Sequence, residues 1–486
     1  MRKPSAVSSV LVGLKWGLLN PRLAVFQLSG WGASAVASIA STLLLAELLL
    51  KLASSPSIEG GLLQLLAEAI RARELAAIAA ASAAAVGLAE AFSWMPAMLY
   101  LRSLLRAEEA ETGEALSAVL MSPLKPLTVA FTKLAAQLLL IAPALAYLAA
   151  RLAETPPGMW LQELAGCAWL LLASAAWYAA TELAFTYAYC FAAEGLGAAS
   201  SIAASAALFA RAPAFTFTLR AVYFLLLAAS ATLLSVGDLV APGFSLSMSA
   251  LLALYLNPSK MASVMSAYML LRGELPAPPP PSEARVLAAL AGGLRSAVKA
   301  LAKAARELVP EAALSAAVLA ALMLAGYHRG SVAAGALSSK AAEAIRALLS
   351  REPSLTALES SGLAMLIMSH NWQIGLASAS SGVLVATPLL ISAVNGYVIG
   401  LAVGFLKPIV GEPIELKLIP HGIVEVPAFI LCCSLGLKLS RAVASSLRRG
   451  SSLSSELLES IALAAAGTLP LFIAAAIIEA FISPYM

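Results

Sequence analysis

LIPHGIVEVPAFILCCSLGLKLS (Leu418–Ser440) sets a histidine, a glutamate and two prolines at the head of a run otherwise apolar enough for lipid. What solvent this stretch meets follows from the whole chain. Of 486 residues, 60% are hydrophobic and 12% charged, where a soluble domain is about 25% charged; mean hydropathy is +0.87. The fold class expected is therefore all-α, a polytopic transmembrane helical protein. A net charge of +4 would suggest an anionic partner in a soluble protein, but here Lys and Arg act as topology determinants, and nucleic acid is not an expected partner. Cys167, Cys190, Cys432 and Cys433 all fall in apolar runs without metal-ligand spacing, so they read as small core hydrophobes. Asn occurs only at positions 20, 257, 371 and 395, a scarcity in keeping with a thermophile.

Scanning for apolar runs of about 20 residues gives candidate spans near 24–50, 75–101, 126–150, 164–192, 217–237 and 243–270, then near 311–327, 362–389, 392–408, 419–440 and 459–482. The expectation is about eleven spans, six and five. With the amino terminus inside, Lys and Arg on the inner segments outnumber those outside about two to one, which favours N-in, C-out. The basic, amphipathic amino terminus shows no cleavage-site pattern, and residues 5–20 are expected on the inner face. Between the two sets of spans, GELPAPPPPSEAR (Gly273–Arg285) cannot continue a helix. The chain thus divides into a six-span domain (1–272), a Pro-rich linker (273–284) and a five-span domain (285–486). Few contacts are expected to cross the linker. Just after it, Arg295, Lys299, Lys303 and Arg306 form a basic stripe beside an Ala/Leu face, the pattern of an interfacial helix on anionic headgroups, with an acidic cytoplasmic partner as the competing reading.

SHNWQIGLASASSGVLVATPLLISAVNGYVIG (Ser369–Gly400) concentrates small residues, which let helix backbones approach closely in lipid. Asn20 and Asn257 each precede a proline, a turn signal at helix ends. Asn395-Gly396 reads more readily as a tight turn between spans than as a ligand. Around His421, a helix starting at Pro420 puts His421 and Glu425 on one face, with Glu425 about 7 Å into the span. Pro427 frees the carbonyl of Ile423 and introduces a kink. The His421–Glu425 pair, with Asn371, His370 and Asn395, is the candidate polar cluster. Interhelical hydrogen bonding and a proton or ion pathway both stay open. Metal ligation is disfavoured: His421-x-x-x-Glu425 supplies two ligands, and with three histidines in the chain the shell is short. Among the other intramembrane acids, Glu47 and Glu479 lie near span ends and need no special role. Glu90 and Glu182 are deeper, and Lys133 is the natural counter-charge for one of them.

The pattern of Asn371, Asn395-Gly396 with Gly400, Pro420-His421-Gly422, Glu425, Pro427-Ala428 and Gly436-Leu437 resembles the stage II sporulation protein M family over roughly 285–486. His370 stands where that family often carries the first Asn of a pair. The resemblance implies a five-span integral membrane domain. Gly396, Gly400, Gly422, Pro420, Pro427 and Gly436 are the expected packing or kink positions. The family's namesake belongs to a membrane complex that remodels the cell wall during engulfment, but relatives in organisms that never sporulate mean the name does not transfer as a function. More weakly, EEAETGEALSAVL (Glu108–Leu120) and EGLGAASSIAASAALFARAP (Glu194–Pro213) resemble loop helices of the multi-span domains attached to some glycerophosphodiester phosphodiesterases. No phosphodiesterase domain accompanies them.

Neither GxxxxGK[ST], GxSxG nor HExxH occurs, so no catalytic residue and no cofactor is expected. The expected function is a non-enzymatic scaffold or assembly factor in the cytoplasmic membrane of a prokaryote. The alternative is a transporter or a lipid- or ion-conducting component built on His421, Glu425, Asn371 and Asn395. The partners implied are the lipid bilayer, membrane or cytoplasmic proteins such as an ATPase subunit, and further copies of the chain.

Overall fold

The computed structural model describes residues 5–20, 22–53, 73–240, 244–277, 286–337, 339–349, 357–411 and 414–482. Among them the regular elements are helical: α1 (Ala6–Leu19), α2 (Leu23–Ala53), α3 (Arg73–Leu105), α4 (Thr112–Met121), α5 (Leu124–Glu154), α6 (Trp160–Gly166), α7 (Ala168–Ala184), α8 (Ala188–Ala193), α9 (Ala198–Arg211), α10 (Pro213–Val240) and α11 (Phe244–Leu271) before the linker. After it come α12 (Val286–Glu307), α13 (Val309–Gly335), α14 (Ser339–Leu349), α15 (Ala357–Ser380), α16 (Thr387–Val410), α17 (Ile414–Arg449), α18 (Ser455–Ala466) and α19 (Leu469–Phe481). This all-helical outcome has a simple cause in lipid. A helix satisfies its own backbone hydrogen bonds where no water can.

The eleven expected spans fall in helical segments, that near 164–192 divided among α6, α7 and α8 and that near 362–389 running past the end of α15 into α16. Among the described residues, nine segments are long and apolar enough to cross a membrane, the last being Ser455–Phe481, which joins α18 and α19. The other two expected spans are α11 and α15, long enough but not among the nine. Both keep serines buried: Ser259, Ser263 and Ser266 on α11, and Ser360, Ser369, Ser378 and Ser380 on α15. They also lie against each other in the middle of the molecule, α11 packed by α1, α2, α3 and α10, and α15 by α2, α17, α18 and α19. Helices surrounded by protein can be less apolar than helices facing lipid.

Local signals end several elements. Ser5 and Ser454 accept from backbone N–H groups as N-caps of α1 and α18. Pro310, Pro388 and Pro470 occupy first-turn positions of α13, α16 and α19. Between α15 and α16 the chain makes a 3-10 turn (Ser381–Leu384) and then Val385 at φ 53°, so the segment around Pro388 is two helices and not one bent one.

Three expectations need correction. Asn395-Gly396 lies in mid-α16 and makes no turn; Asn257-Pro258 likewise lies inside α11, whereas Asn20 does cap the end of α1. Helix α17 begins at Ile414, so Pro420 and Pro427 are both interior. Each lacks the N–H that the carbonyl four residues earlier would have received, leaving Leu416 and Ile423 without their helical donors. In all these cases a turn residue is overruled because lipid makes an interrupted backbone costlier than an awkward residue within a helix.

The third correction concerns modularity. Most of the linker lies outside the described residues, but the helices on either side of it share one core. Gly32 of α2 sits against the backbone of Ser380 and Ser381, and Gly113 of α4 against the carbonyl of Leu453. The Gly113 amide donates to Ser455 Oγ (3.0 Å), the Leu453 amide donates to Ser117 Oγ (2.7 Å), and Arg22 pairs with Glu459 (2.9 Å). Proteolysis within 276–281 is therefore expected to yield two fragments that co-elute in mild detergent. Two separately eluting folded fragments would show that this shared core contributes little.

The amino-terminal helix α1 also packs on protein: Gly13 and Gly17 lie against Ser263 and Ser259 of α11, and Tyr255 donates to the carbonyl of Leu14 (3.1 Å). On α12, Arg295, Lys299, Lys303 and Arg306 are exposed, while Ala297, Leu301 and Ala304 are buried against α18. Its apolar face is used against protein, which leaves the basic face for headgroups or a partner. A hydrogen bond from Lys438 (2.9 Å) ties the end of α12 to α17 and, with the lysine's charge, holds the Glu307 carboxyl below its usual range.

Candidate functional site

Helix α17 carries His421 and Glu425 one turn apart, and the bundle brings α15, α16 and α19 to the same place. His421 is buried, and Glu425, Asn371 and Asn395 are half-buried. Asn371 on α15 lies beside Glu425. Asn395 donates to the carbonyl of Ile391 in its own helix (2.9 Å). Together Asn371, Asn395 and Glu425 line a cavity of about 40 Å³, otherwise walled by apolar groups such as Leu319, Phe429 and Phe472. That is room for a water or an ion. His370 is exposed and does not line this cavity.

The residue that sequence reasoning missed is Glu479. It lies on α19, and its Oε2 is 3.9 Å from His421 Nε2. Side-chain ligand atoms of His421, Glu425 and Glu479 all fall within 4.8 Å of one another. Proximity to a span end made Glu479 look ordinary. The available signal was that LPLFIAAAIIEAF (Leu469–Phe481) contains no other charge, so its carboxylate must find company on another helix.

Of the expected packing positions, Gly396 and Gly400 lie against the carbonyls of Leu319 and Met323 on α13, and Gly436 against that of Ser378 on α15. Gly422 differs: a Cβ there would meet nothing within 4 Å.

A second polar cluster lies before the linker. Lys133 on α5 pairs with both Glu90 on α3 (2.9 Å) and Glu182 on α7 (2.6 Å). Arg220 on α10 also reaches Glu182 (3.2 Å), Gln137 donates to it (2.9 Å), and Arg220 Nε donates to Thr186 (2.9 Å). The counter-charge expected of Lys133 is found, for both acids at once. On α11, Lys260 lies 5.7 Å from the Trp94 ring centroid, a cation–π contact. The network joins four helices by charges internal to the chain.

Residues 314–484 match the Stage II sporulation protein M family. The resemblance drawn from Asn371 to Leu437 holds over that range. No curated protein and no solved structure matches the chain. The matched segment runs from within α13 through α19 and includes every member of the polar cluster, Glu479 among them. The basic stripe on α12 and the Lys133 network lie outside it. The chain is a multi-pass, membrane-integral helical protein, and a segment after its linker matches the Stage II sporulation protein M family.

Proposed function

We propose that this protein is a non-enzymatic scaffold or assembly factor of a prokaryotic cytoplasmic membrane, holding other membrane or cytoplasmic proteins in a fixed arrangement. The observation that supports this reading is the seam between α13 and α16. Gly326 and Gly330 of one helix face the backbone at Tyr397 and Leu401 of the other, while Gly396, Gly400 and Gly404 face Leu319, Met323 and Tyr327 in return. Backbones in contact along several turns cannot slide or part without losing the whole seam at once. Such a frame suits holding partners in register better than rocking between two states. The basic face of α12 is the natural docking surface.

A transport or conduction role is the second reading, favoured by the polar cluster of His421, Glu425, Asn371 and Asn395 beside its cavity. Crosslinking and affinity capture from native membranes, run beside flux measurements on reconstituted vesicles, separate the two. The scaffold reading expects a reproducible partner set that is lost when Lys299 and Lys303 are reversed in charge, and no flux. Solute or ion flux abolished by Glu425→Gln would overturn it in favour of the second.

A further inference from the structure

The geometry points to a divalent transition-metal site formed by His421, Glu425 and Glu479, with Asn371 as its orienting group, clasping α15, α17 and α19 together. This is independent of whether the protein is a scaffold. Glu425 and Glu479 lie in candidate membrane spans, where an ionised carboxylate is costly unless compensated. The Lys133 network shows how this chain neutralises such acids with its own cations: Glu182 has both Lys133 and Arg220. Among the described residues, Glu425 and Glu479 have no lysine or arginine in ion-pair contact, and the only basic group beside them is His421. With a neutral imidazole the ionised trio carries two negative charges, which one divalent cation balances.

The donor set narrows the ion. Imidazole nitrogen with carboxylate oxygens suits zinc, manganese or cobalt; magnesium and calcium prefer oxygen alone. The three groups come from two helices, α17 and α19, and their ligand atoms lie within 4.8 Å of one another. Ligands at about 2.0–2.2 Å from a tetrahedral ion stand roughly 3.3 Å apart, so closing on the ion takes side-chain rotation and no helix movement. Asn371, which lines the same cavity as Glu425, stands where an outer contact would orient that carboxylate as a ligand. The adjoining cavity leaves room for a water to complete the coordination. Sequence spacing alone offered two ligands; the third arrives from a helix more than fifty residues later.

The test is a titration of the full-length protein, stripped with chelator in mild detergent, with cobalt(II). A saturable visible d–d absorption at one equivalent, displaced by zinc, is expected, together with a rise of several degrees in melting temperature. His421→Ala and the near-isosteric Glu479→Gln should lose both responses, and Asn371→Ala should weaken binding by about 10–100-fold. Absence of the cobalt spectrum in the wild-type protein would overturn the site whatever the variants do. An unchanged spectrum in folded Glu479→Gln or His421→Ala would overturn it as well. So would a chelator-treated Glu479→Gln more stable than the wild type in which no metal raises melting, since protonation would then be what settles the carboxylates.

Discussion

Replacing Lys133 by methionine is expected to destabilise the protein by about 3–5 kcal/mol, the usual cost of removing one partner from a buried ion pair. Lys133 is 9% exposed and contacts Glu90 and Glu182 together. Glu182 keeps Arg220 and Gln137 after the change, whereas Glu90 loses its one ion-pair contact among the described residues. The damage should therefore be traceable to Glu90. In the double variant Lys133→Met/Glu90→Gln the stranded charge is gone, and most of the loss should be recovered, because exchanging a buried pair for neutral groups of similar size is often close to neutral. Melting in detergent, followed by tryptophan fluorescence for the four proteins of this cycle, measures the coupling. If the single and double variants melt alike, Lys133 matters through its packing and the electrostatic account fails.

Gly400→Val is expected to disrupt the α13–α16 seam, at a cost of about 3 kcal/mol or more, the upper range for overpacking. A Cβ on Gly400 would overlap the Met323 carbonyl. A backbone atom cannot rotate away as a side-chain tip can, so the helices must separate. That separation also loosens the contacts at Gly396, Gly404, Gly326 and Gly330 on the same seam. Gly422→Ala is the matched control. It lies in a helix of the same family-matched segment with nothing within 4 Å of a new Cβ, so lower backbone entropy in the unfolded chain should leave it unchanged or stabilised by up to about 1 kcal/mol. Equal melting of Gly400→Val and wild type would mean that the helices meet elsewhere than at these glycines.

Much about this protein was decided by composition alone. An apolar chain with so few charges must span lipid, and a spanning segment must satisfy its own backbone, so helices and their approximate positions follow from runs of hydrophobic residues. The same logic singled out Lys133, Glu90, Glu182, His421 and Glu425, because a charge in an apolar run is conspicuous wherever it falls. Close helix packing around Gly400 was legible from the density of small residues there, whereas Gly396 was obscured by its turn-forming neighbour Asn395.

What sequence could not supply was company. Turn propensity misread Asn395-Gly396 and Asn257-Pro258, since local preference was outweighed by the cost of breaking a helix in lipid. The linker suggested separable halves, yet Gly32, Gly113 and Ser117 place the first set of helices directly on the second. Glu479 joined His421 and Glu425 only when α19 folded against α17. Hydrophobicity is a property each segment carries alone, so one chain suffices to read it. Which intramembrane charges meet depends on helix rotation and neighbour choice, and those are set by side-chain packing between segments distant in sequence, which no single segment encodes.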